Sequence, residues 1–550
     1  MAANSNVIPA RYQPELPHDR LILAEAPDPE AIPMDVVFVG GGPAGLAGAI
    51  HLAQLVEQDG TLGEVGIAVL DKAPALGEHC LSGAVVDPRA FRELFPDLTD
   101  ADFPFKDRVE KEAVYLLTQG GALRIPPPPT MHYHGMYTAS VSEIARWLGG
   151  KAEEMGINVL PGFPVQSLLV EEERVVGVRT TPTGLDRTGE PGSGYEPATD
   201  LTGRVTVLAE GVRGPLTQAY LRWQGITSPN PQIYALGVKE LWETTTPLDT
   251  VVHTLGWPLP RDAFGGSWMY PLEPNLVSIG LVVGLDYKQT TLDTHGLMQR
   301  MKTHPFFRKY LEGGEMTEWG AKCIPEGGYF SLPSRRSGDG LVMIGDTVGY
   351  VDVASLKGVH YAMQSGIYAA RAIFEALKRE DTGATQLAAY DRMVDGSYIR
   401  DDLYSTRNAR LLFKDGFFVG GAKAALFTFS GGRVFGGKVE MHADAAEPKQ
   451  VTPEEPLVPD GKITFSKVDA VFKSGNQTRD DIPPHLIVGE DIPAEVAEMY
   501  EHLCPAGVYE RQGDRLVVNA PNCVDCKATD VLGPRWMPRE GGSGPAYKRM

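Results

Sequence analysis

Residues 40–45 narrow the possible folds of this chain more than any other six positions. The segment MDVVFVGGGPAGLAGAIHLAQL, from Met34, opens as a β-branched run and closes with apolar residues at helical spacing. Between the two, Gly40, Gly42 and Gly45 spell G-x-G-x-x-G. The first glycine permits the tight turn, the second lets backbone approach a pyrophosphate, and the third lets helix and strand pack closely. The helix N-terminus then offers free N–H groups and a partial positive charge to phosphate. The run VGIAVLDKAP from Val65 reads as the next parallel strand, and Asp71 at its end is placed to accept from ribose hydroxyls. The polar insert Glu57–Glu64 accounts for the long spacing to Asp71. The motif alone is a weak signal; its flanks make it a dinucleotide site.

A second part of that site lies far along the chain. GLVMIGDTVGY, Gly340–Tyr350, is a buried strand ending in Gly345-Asp346, and KGVHYAMQSGIYAARAIFEALKRE after it is a helix. This split arrangement resembles flavoproteins of the glutathione-reductase type. The resemblance implies that Gly345-Asp346 reaches the ribityl and phosphate region of FAD. It also implies that the helix starting near Lys357-Gly358 aims its positive end at the flavin N1–O2 edge. No second strand–GxGxxG–helix unit occurs, so electrons are expected from something other than a built-in nicotinamide domain.

Composition excludes several classes. With 43% hydrophobic and 22% charged residues, the 550-residue chain holds a real core and more than one domain. A net charge of −20 opposes general nucleic-acid binding, and no nucleic-acid partner is expected. Five cysteines cannot make a secreted disulfide scaffold. Residues 1–34 read as a polar leader without a signal-peptide run, and 443–460, rich in Pro and Glu, as a linker.

Three cysteines fall beyond that linker. Cys504 precedes a proline, and Cys523 and Cys526 form C-x-x-C, a pattern that suggests ferredoxin-like ligation. A zinc knuckle or a redox dithiol are the alternatives. Zinc normally takes four ligands, and no His lies between Cys504 and Met550. Cys80 and Cys323 are isolated and read as buried small apolar residues. Between Leu411 and Gly437 stand six of the 19 phenylalanines, broken by Lys423 and glycines. That is too short an apolar stretch to span a bilayer and fits an interfacial helix. The piece AVYLLTQGGALRIPPPPTM from Ala113 is expected beside it. The ordinary alternative is that both are core.

With these residues in view, the sequence resembles the electron transfer flavoprotein–ubiquinone oxidoreductase family over nearly its full length. The match runs through VGGGPAGLAGAI at Val39, LSGAVVDPRAF at Leu81, AEGVRGPL at Ala209, LGVKELW at Leu236, and HTLGWPL and FGGSWMY from His253. It continues through IGLVVGLDY at Ile279, KGVHYAMQSG at Lys357, LYSTRNAR at Leu403, LCPAGVYE at Leu503, NAPNCVDCK at Asn519 and EGGSGPAY at Glu540. The resemblance implies one FAD, one [4Fe-4S] cluster and a ubiquinone pocket, in a monotopic protein on one leaflet. The expected location is the cytoplasmic face of a bacterial inner membrane rather than the mitochondrial inner membrane. Electrons are expected singly from reduced electron transfer flavoprotein and to leave as ubiquinol.

The same resemblance places Ser82 and Gly83 with the FAD residues, and Gly265 and Gly266 at the quinone headgroup. The fold class it implies is α/β and α+β. A glutathione-reductase-type FAD domain spans 35–442, mainly 35–112, 195–235 and 330–410. A quinone-binding domain is interleaved with it, mainly 113–194, 236–329 and 411–437, and a ferredoxin-like domain takes 461–550. Two departures stand out. The family's last cluster cysteine is Thr529 here, so three thiolates remain of four, and Val359 stands where the family often has Thr. A hydroxyl is a hard ligand and thiolate the soft one that iron–sulfur clusters take. Two rival readings are an FAD-dependent reductase of isoprenoid or lipid substrates, and a cluster-less electron-transfer subunit.

Overall fold

A computed structural model of the chain describes residues 6–453, 456–513 and 515–550. Along the chain, strand β1 (Val36–Val39) runs into helix α1 (Pro43–Asp59) and returns as β2 (Ile67–Asp71). Strands β3 (Glu112–Leu117) and β4 (Ala122–Ile125), helix α2 (Val141–Glu154), β5 (Asn158–Pro161) and β6 (Val205–Leu208) follow. Helix α3 (Pro215–Trp223) leads to β7 (Tyr234–Glu243), β8 (Val251–Gly256), β9 (Gly265–Glu273), β10 (Leu276–Gly284) and β11 (Glu315–Pro325). The chain then forms β12 (Ser337–Gly338), β13 (Leu341–Met343), α4 (Val359–Lys378) and α5 (Phe417–Phe429). Helices α6 (Ala494–Leu503) and α7 (Ala528–Leu532) flank the C-terminal cysteines.

Two sheets position the site. The first has the order β5-β2-β1-β6-β13-β12 and is parallel except at β12. Its strands are buried on both faces, which is why they read as β-branched runs rather than alternations. Helices α1 and α4 cover one face and pack on each other. The backbones touch where Gly48 meets Gly366, because neither residue holds them apart with a side chain. The second sheet has the order β11-β7-β10-β9-β8-β3-β4 and is antiparallel except between β8 and β3. It carries its own core, which runs on into the C-terminal helices and cysteines.

Three segments differ from the expected division. Residues 6–33 of the expected polar leader are folded. Asn6–Val7 pairs with Lys449–Gln450, and Ile22–Leu23 and Ile32–Pro33 form the two edges of a five-stranded sheet. Leu16, Leu21 and Ile22 are buried. The first part of the expected linker is folded too: Asp444 accepts from the Tyr234 N–H at 2.8 Å, and Lys449 Nζ donates to the Leu285 and Tyr287 carbonyls. Helix α2 and the hairpin Val165–Glu171/Arg174–Thr180, expected with the quinone-binding part, bury their apolar side chains in the core of the parallel sheet. In the first two cases pairing too brief to show a period fixes what composition leaves open; in the third, which sheet the helix and hairpin pack on is set by tertiary contact.

Candidate functional site

The β1–α1 turn is built for close approach. Gly40 has φ +118°, and a Cβ there would sit 2.2 Å from the Ala209 carbonyl of the neighbouring strand. A Cβ on Gly45 would sit 2.1 Å from the Gly40 carbonyl. Gly42 differs: a Cβ there meets nothing within 4 Å, because this residue faces an open cavity. Pro43 at the first helical position gives up no hydrogen bond, so the N-terminus of α1 is left free to point its amides there. Asp71 braces the turn, accepting from Gly41 N–H at 2.7 Å and Ala73 N–H at 2.8 Å, with its carboxylate on the cavity wall. Glu210 shapes the opposite wall. It accepts from the Leu216 and Thr217 amides and the Thr217 hydroxyl, capping α3, and burial pushes its pKa up.

The cavity holds about 920 Å³, at the upper end of ligand sites. Along it lie Gly40, Gly42, Asp71, Ser82, Gly83, Asp346 and Gly358; Gly45 and Gly345 sit just behind the wall. Gly345 N–H donates to Ser365 Oγ at 2.9 Å, holding the turn that presents Asp346. Gly358 caps the N-terminus of α4, and a Cβ there would lie 3.9 Å from Asp346 Oδ1. Lys357 is buried with its ammonium 3.7 Å from the Tyr133 ring centroid. Ser82 gives its carbonyl to Lys239 Nζ at 2.9 Å, and Gly83 abuts the rings of Trp268 and Tyr270.

Burial pushes the Asp346 carboxyl up to about 6 against the charge of Lys322. A carboxyl whose folded pKa exceeds its ordinary 3.8 favours the folded state most when protonated. That contribution is lost as pH rises from about 4 to about 6. Asp346→Asn is therefore expected to stabilise flavin-free protein by about 3 kcal/mol at pH 7 and by little below pH 4. Denaturant unfolding at the two pH values checks this. A gain independent of pH would show that desolvation is not its cause.

At the other end of the cavity β9 begins with Gly265 and Gly266. Gly265 has φ +154°, and a Cβ there would lie 2.1 Å from the Val282 carbonyl. A Cβ on Gly266 would lie 2.8 Å from the Thr254 carbonyl. The pair thus leaves a flat backbone surface on the cavity, beside the buried His253–Tyr270 hydrogen bond of 2.5 Å. The mouth is apolar. Pro126–Pro129 and Met131 form one rim, and Phe417, Phe418 and Phe429 of α5 the other. Phe418 is 61% and Phe429 77% exposed, with Val419 and Leu426 beside them, whereas Phe427 is buried. Lys423 pairs with Asp415 at 2.5 Å. Among the described residues, no helix is long and apolar enough to cross a membrane.

The C-terminal cysteines form the third part. Cys504 ends α6, Cys523 and Cys526 sit on the loop before α7, and Thr529 lies in α7. All four are buried, with Tyr509 beside Thr529 and the three thiols. Burial pushes the Cys523 thiol up to about 12 and raises the other two, so no thiolate is favoured until a cation binds. Three thiols supply the soft donors that an iron–sulfur cluster takes, and the Thr529 hydroxyl stands at the fourth position. His485, Cys523 and Asp525 also converge, but Asp525 is already taken by Lys72, Arg539 and Trp536. Cys323 is isolated in sequence but not in space: its N–H donates to the Cys526 carbonyl at 2.8 Å. Sequence reasoning did not single out Glu210 or Lys322, and it named Lys357 only as the start of a helix. The motif AEGVRGPL, which contains Glu210, was its only signal, and Lys322 had none.

Comparisons with known proteins agree with one another. The family model described as ETF-QO, ubiquinone-binding matches residues 234–324. The model for the 4Fe-4S part of electron transfer flavoprotein-ubiquinone oxidoreductase matches 461–548. The chain is 37% identical to the mitochondrial electron transfer flavoprotein-ubiquinone oxidoreductase of Oryza sativa, over 95% of this chain and 94% of that protein. It is 37% identical to the Pseudomonas aeruginosa protein of that name, over 95% and 100%. Among solved structures, a geranylgeranyl bacteriochlorophyll reductase-like protein from Thermoplasma acidophilum superposes with TM-score 0.53 at 17% identity. That match covers 74% of this chain and 97% of the other, and it shows a shared fold. By identity and by coverage of both chains, this chain belongs to the electron transfer flavoprotein–ubiquinone oxidoreductase family.

Proposed function

We propose that this chain accepts electrons from reduced electron transfer flavoprotein and reduces ubiquinone, using FAD and an iron–sulfur cluster. The observation that carries the reading is one continuous cavity. It runs from the α1 N-terminus at Gly42 to Gly265-Gly266 and opens between Pro126–Met131 and α5. When bound, FAD and the cluster supply one-electron steps, and ubiquinone takes two electrons and two protons to become ubiquinol. The chain itself binds and orients. Gly40, Gly42, Gly45, Asp71, Ser82, Gly83, Gly345, Asp346 and Gly358 are the residues assigned to FAD. Gly265 and Gly266 are assigned to the quinone headgroup, because bare backbone lets a flat ring lie close. Cys504, Cys523 and Cys526 are assigned to the cluster, with Thr529 at the fourth position. No acid–base or nucleophilic side chain is required; position and potential carry the rate.

Membrane contact belongs to the same reading. The exposed aromatic face of α5 supports a monotopic seat on one leaflet; the cytoplasmic side of a bacterial inner membrane is the location proposed. Residues 35–442 then divide between FAD and quinone functions, and 461–550 form the cluster domain. Quinone reduction driven by reduced electron transfer flavoprotein tests the whole. Protein that retains flavin yet gives no quinone turnover overturns it.

The cluster has its own test. On three thiolates the fourth iron is expected to be labile, giving a three-iron EPR signal after mild oxidation. In Thr529→Cys the four-iron form should persist. Iron and sulfide analysis of anaerobically purified protein decides between them. Fewer than about two irons per flavin, against the three or four such clusters hold, leaves FAD as the sole redox centre.

A further inference from the structure

A layer of positive side chains separates the Asp346 side of the cavity from the cysteines. It gathers around Asp525, the fully buried carboxylate between Cys523 and Cys526. Lys72 Nζ lies 2.5 Å from Asp525 Oδ2, and Arg539 Nη2 lies 3.0 Å from Oδ1. Lys322 Nζ donates to the Asp525 carbonyl at 3.2 Å. Lys527 holds its ammonium 2.9 Å from the Trp536 ring centroid, and Trp536 Nε1 donates to Asp525 Oδ1 at 2.8 Å. Lys72, Arg539, Lys322 and Lys527 thus gather about Asp525, with the Arg213–Asp530 pair beside Lys527, so cations outnumber carboxylates in this largely buried layer. Such an excess of one sign is costly to bury and calls for compensating negative charge.

Lys72, Lys322 and Lys527 of this layer all line the cavity, and Lys322 is the one whose charge acts on Asp346. Lys322 stands on β11 opposite Gly237, whose missing side chain leaves room beside it. Its charge is what opposes the raised pKa of Asp346, the residue assigned to the flavin ribityl region. On the other side it is held by the cysteine loop. Burial and Lys72 pull the Lys322 pKa down, and Asp525, Cys80 and Cys526 push it back up. The neighbouring Cys323 N–H, bonded to the Cys526 carbonyl, ties β11 to the cluster loop and fixes the lysine between the two sites.

We propose that Lys322 is a positioning residue for electron passage between the flavin and cluster sites, its fixed charge making both easier to reduce. The inference rests on the proposed cofactor assignment. The step it governs moves one electron: one site loses it, the other gains it, and no bond forms or breaks. An added electron on either side supplies the negative charge that the layer lacks, and a buried charge acts over several ångströms because little water screens it.

The test uses cofactor-loaded protein with Lys322→Gln, Lys322→Met and Lys322→Arg. Glutamine keeps a donor for the Asp525 carbonyl and removes the charge; arginine keeps the charge. Anaerobic redox titration follows the flavin by visible absorbance and the cluster by EPR, beside flavin and iron content. In Lys322→Gln and Lys322→Met both sites should become about tenfold harder to reduce in the one-electron equilibrium, about 59 mV lower. Lys322→Arg should restore most of the shift. Unchanged potentials in a charge-removed variant with full flavin and iron overturn the proposal, as does a shift confined to one site. Equal shifts in the arginine variant would mean packing, not charge, is responsible, and also overturn it. A wild-type protein without flavin or without iron overturns this inference and the assignment beneath it together.

Discussion

Gly42→Val protein should fold, survive purification and come off the column without flavin. The backbone at Gly42 is extended, with φ −82° and ψ 179°, which a β-branched residue adopts without strain. Its Cβ meets no protein atom, so the folded chain loses little. The N-cap preference of glycine over valine costs on the order of 1 kcal/mol. What the side chain does fill is the space before the α1 N-terminus, where the pyrophosphate belongs. Losing the helix-end charge, up to about 2 kcal/mol, and one or more charged hydrogen bonds of about 1.5–3 kcal/mol each removes roughly 4 kcal/mol. That is about three decades of affinity. Flavin absorbance per polypeptide, read beside the melting temperature, checks both halves. A yellow, fully loaded variant sinks the site assignment, and a large fall in melting temperature would mean that Gly42 serves the fold rather than the ligand.

Replacing Phe418, Leu426 and Phe429 together with serine should release the protein from lipid vesicles while leaving flavin bound. All three lie on the exposed side of α5. Phe418 and Phe429 are 11 residues apart, three full turns, and so share a face. Phe427, nine residues from Phe418, points the opposite way and is buried; it must be left intact, since truncating a buried Phe costs about 3–5 kcal/mol. Each exposed side chain gains at most about 1.5–3 kcal/mol on leaving water, so the triple change lowers partitioning by up to roughly three to six decades. Vesicle sedimentation measures it. If the triple variant still sediments with vesicles as the parent does, α5 is not the membrane contact. If it loses flavin and unfolds, the segment is core.

What could be read from the sequence is local chemistry, and what could not is register. The β1–α1 turn and the Gly345-Asp346 turn were legible because a few consecutive residues define the backbone path. The Phe-rich segment was half legible. Composition shows the cluster, but only helical phase separates Phe427 in the core from Phe418 and Phe429 outside. Residues 6–33 read as a leader because two-residue strands such as Ile22–Leu23 leave no period to detect, although they close a sheet edge. Lys322 owes its place to long-range strand pairing and Glu210 to a local fold-back of six to seven residues. Lys322 faces Gly237 across β11 and β7, and nothing in its neighbours' identities marks it; Glu210 folds forward onto the start of α3 from within the motif AEGVRGPL. Cys323 joins the cysteine loop through one backbone hydrogen bond spanning some two hundred residues of chain.

The position of the cavity mouth has a kinetic consequence. On the proposed reading the cavity opens where the exposed lining residues Pro126, Pro129, Phe418 and Phe429 stand, between the proline run and the outward face of α5. On that reading, the quinone arrives and departs along the plane of the lipid. The quantity that sets the encounter rate is then its mole fraction in the leaflet, not its molarity in the assay. Diluting the same quinone and protein with additional phospholipid should slow turnover, and adding buffer should not. Half-saturation values for this chain therefore have meaning only when the lipid content is stated.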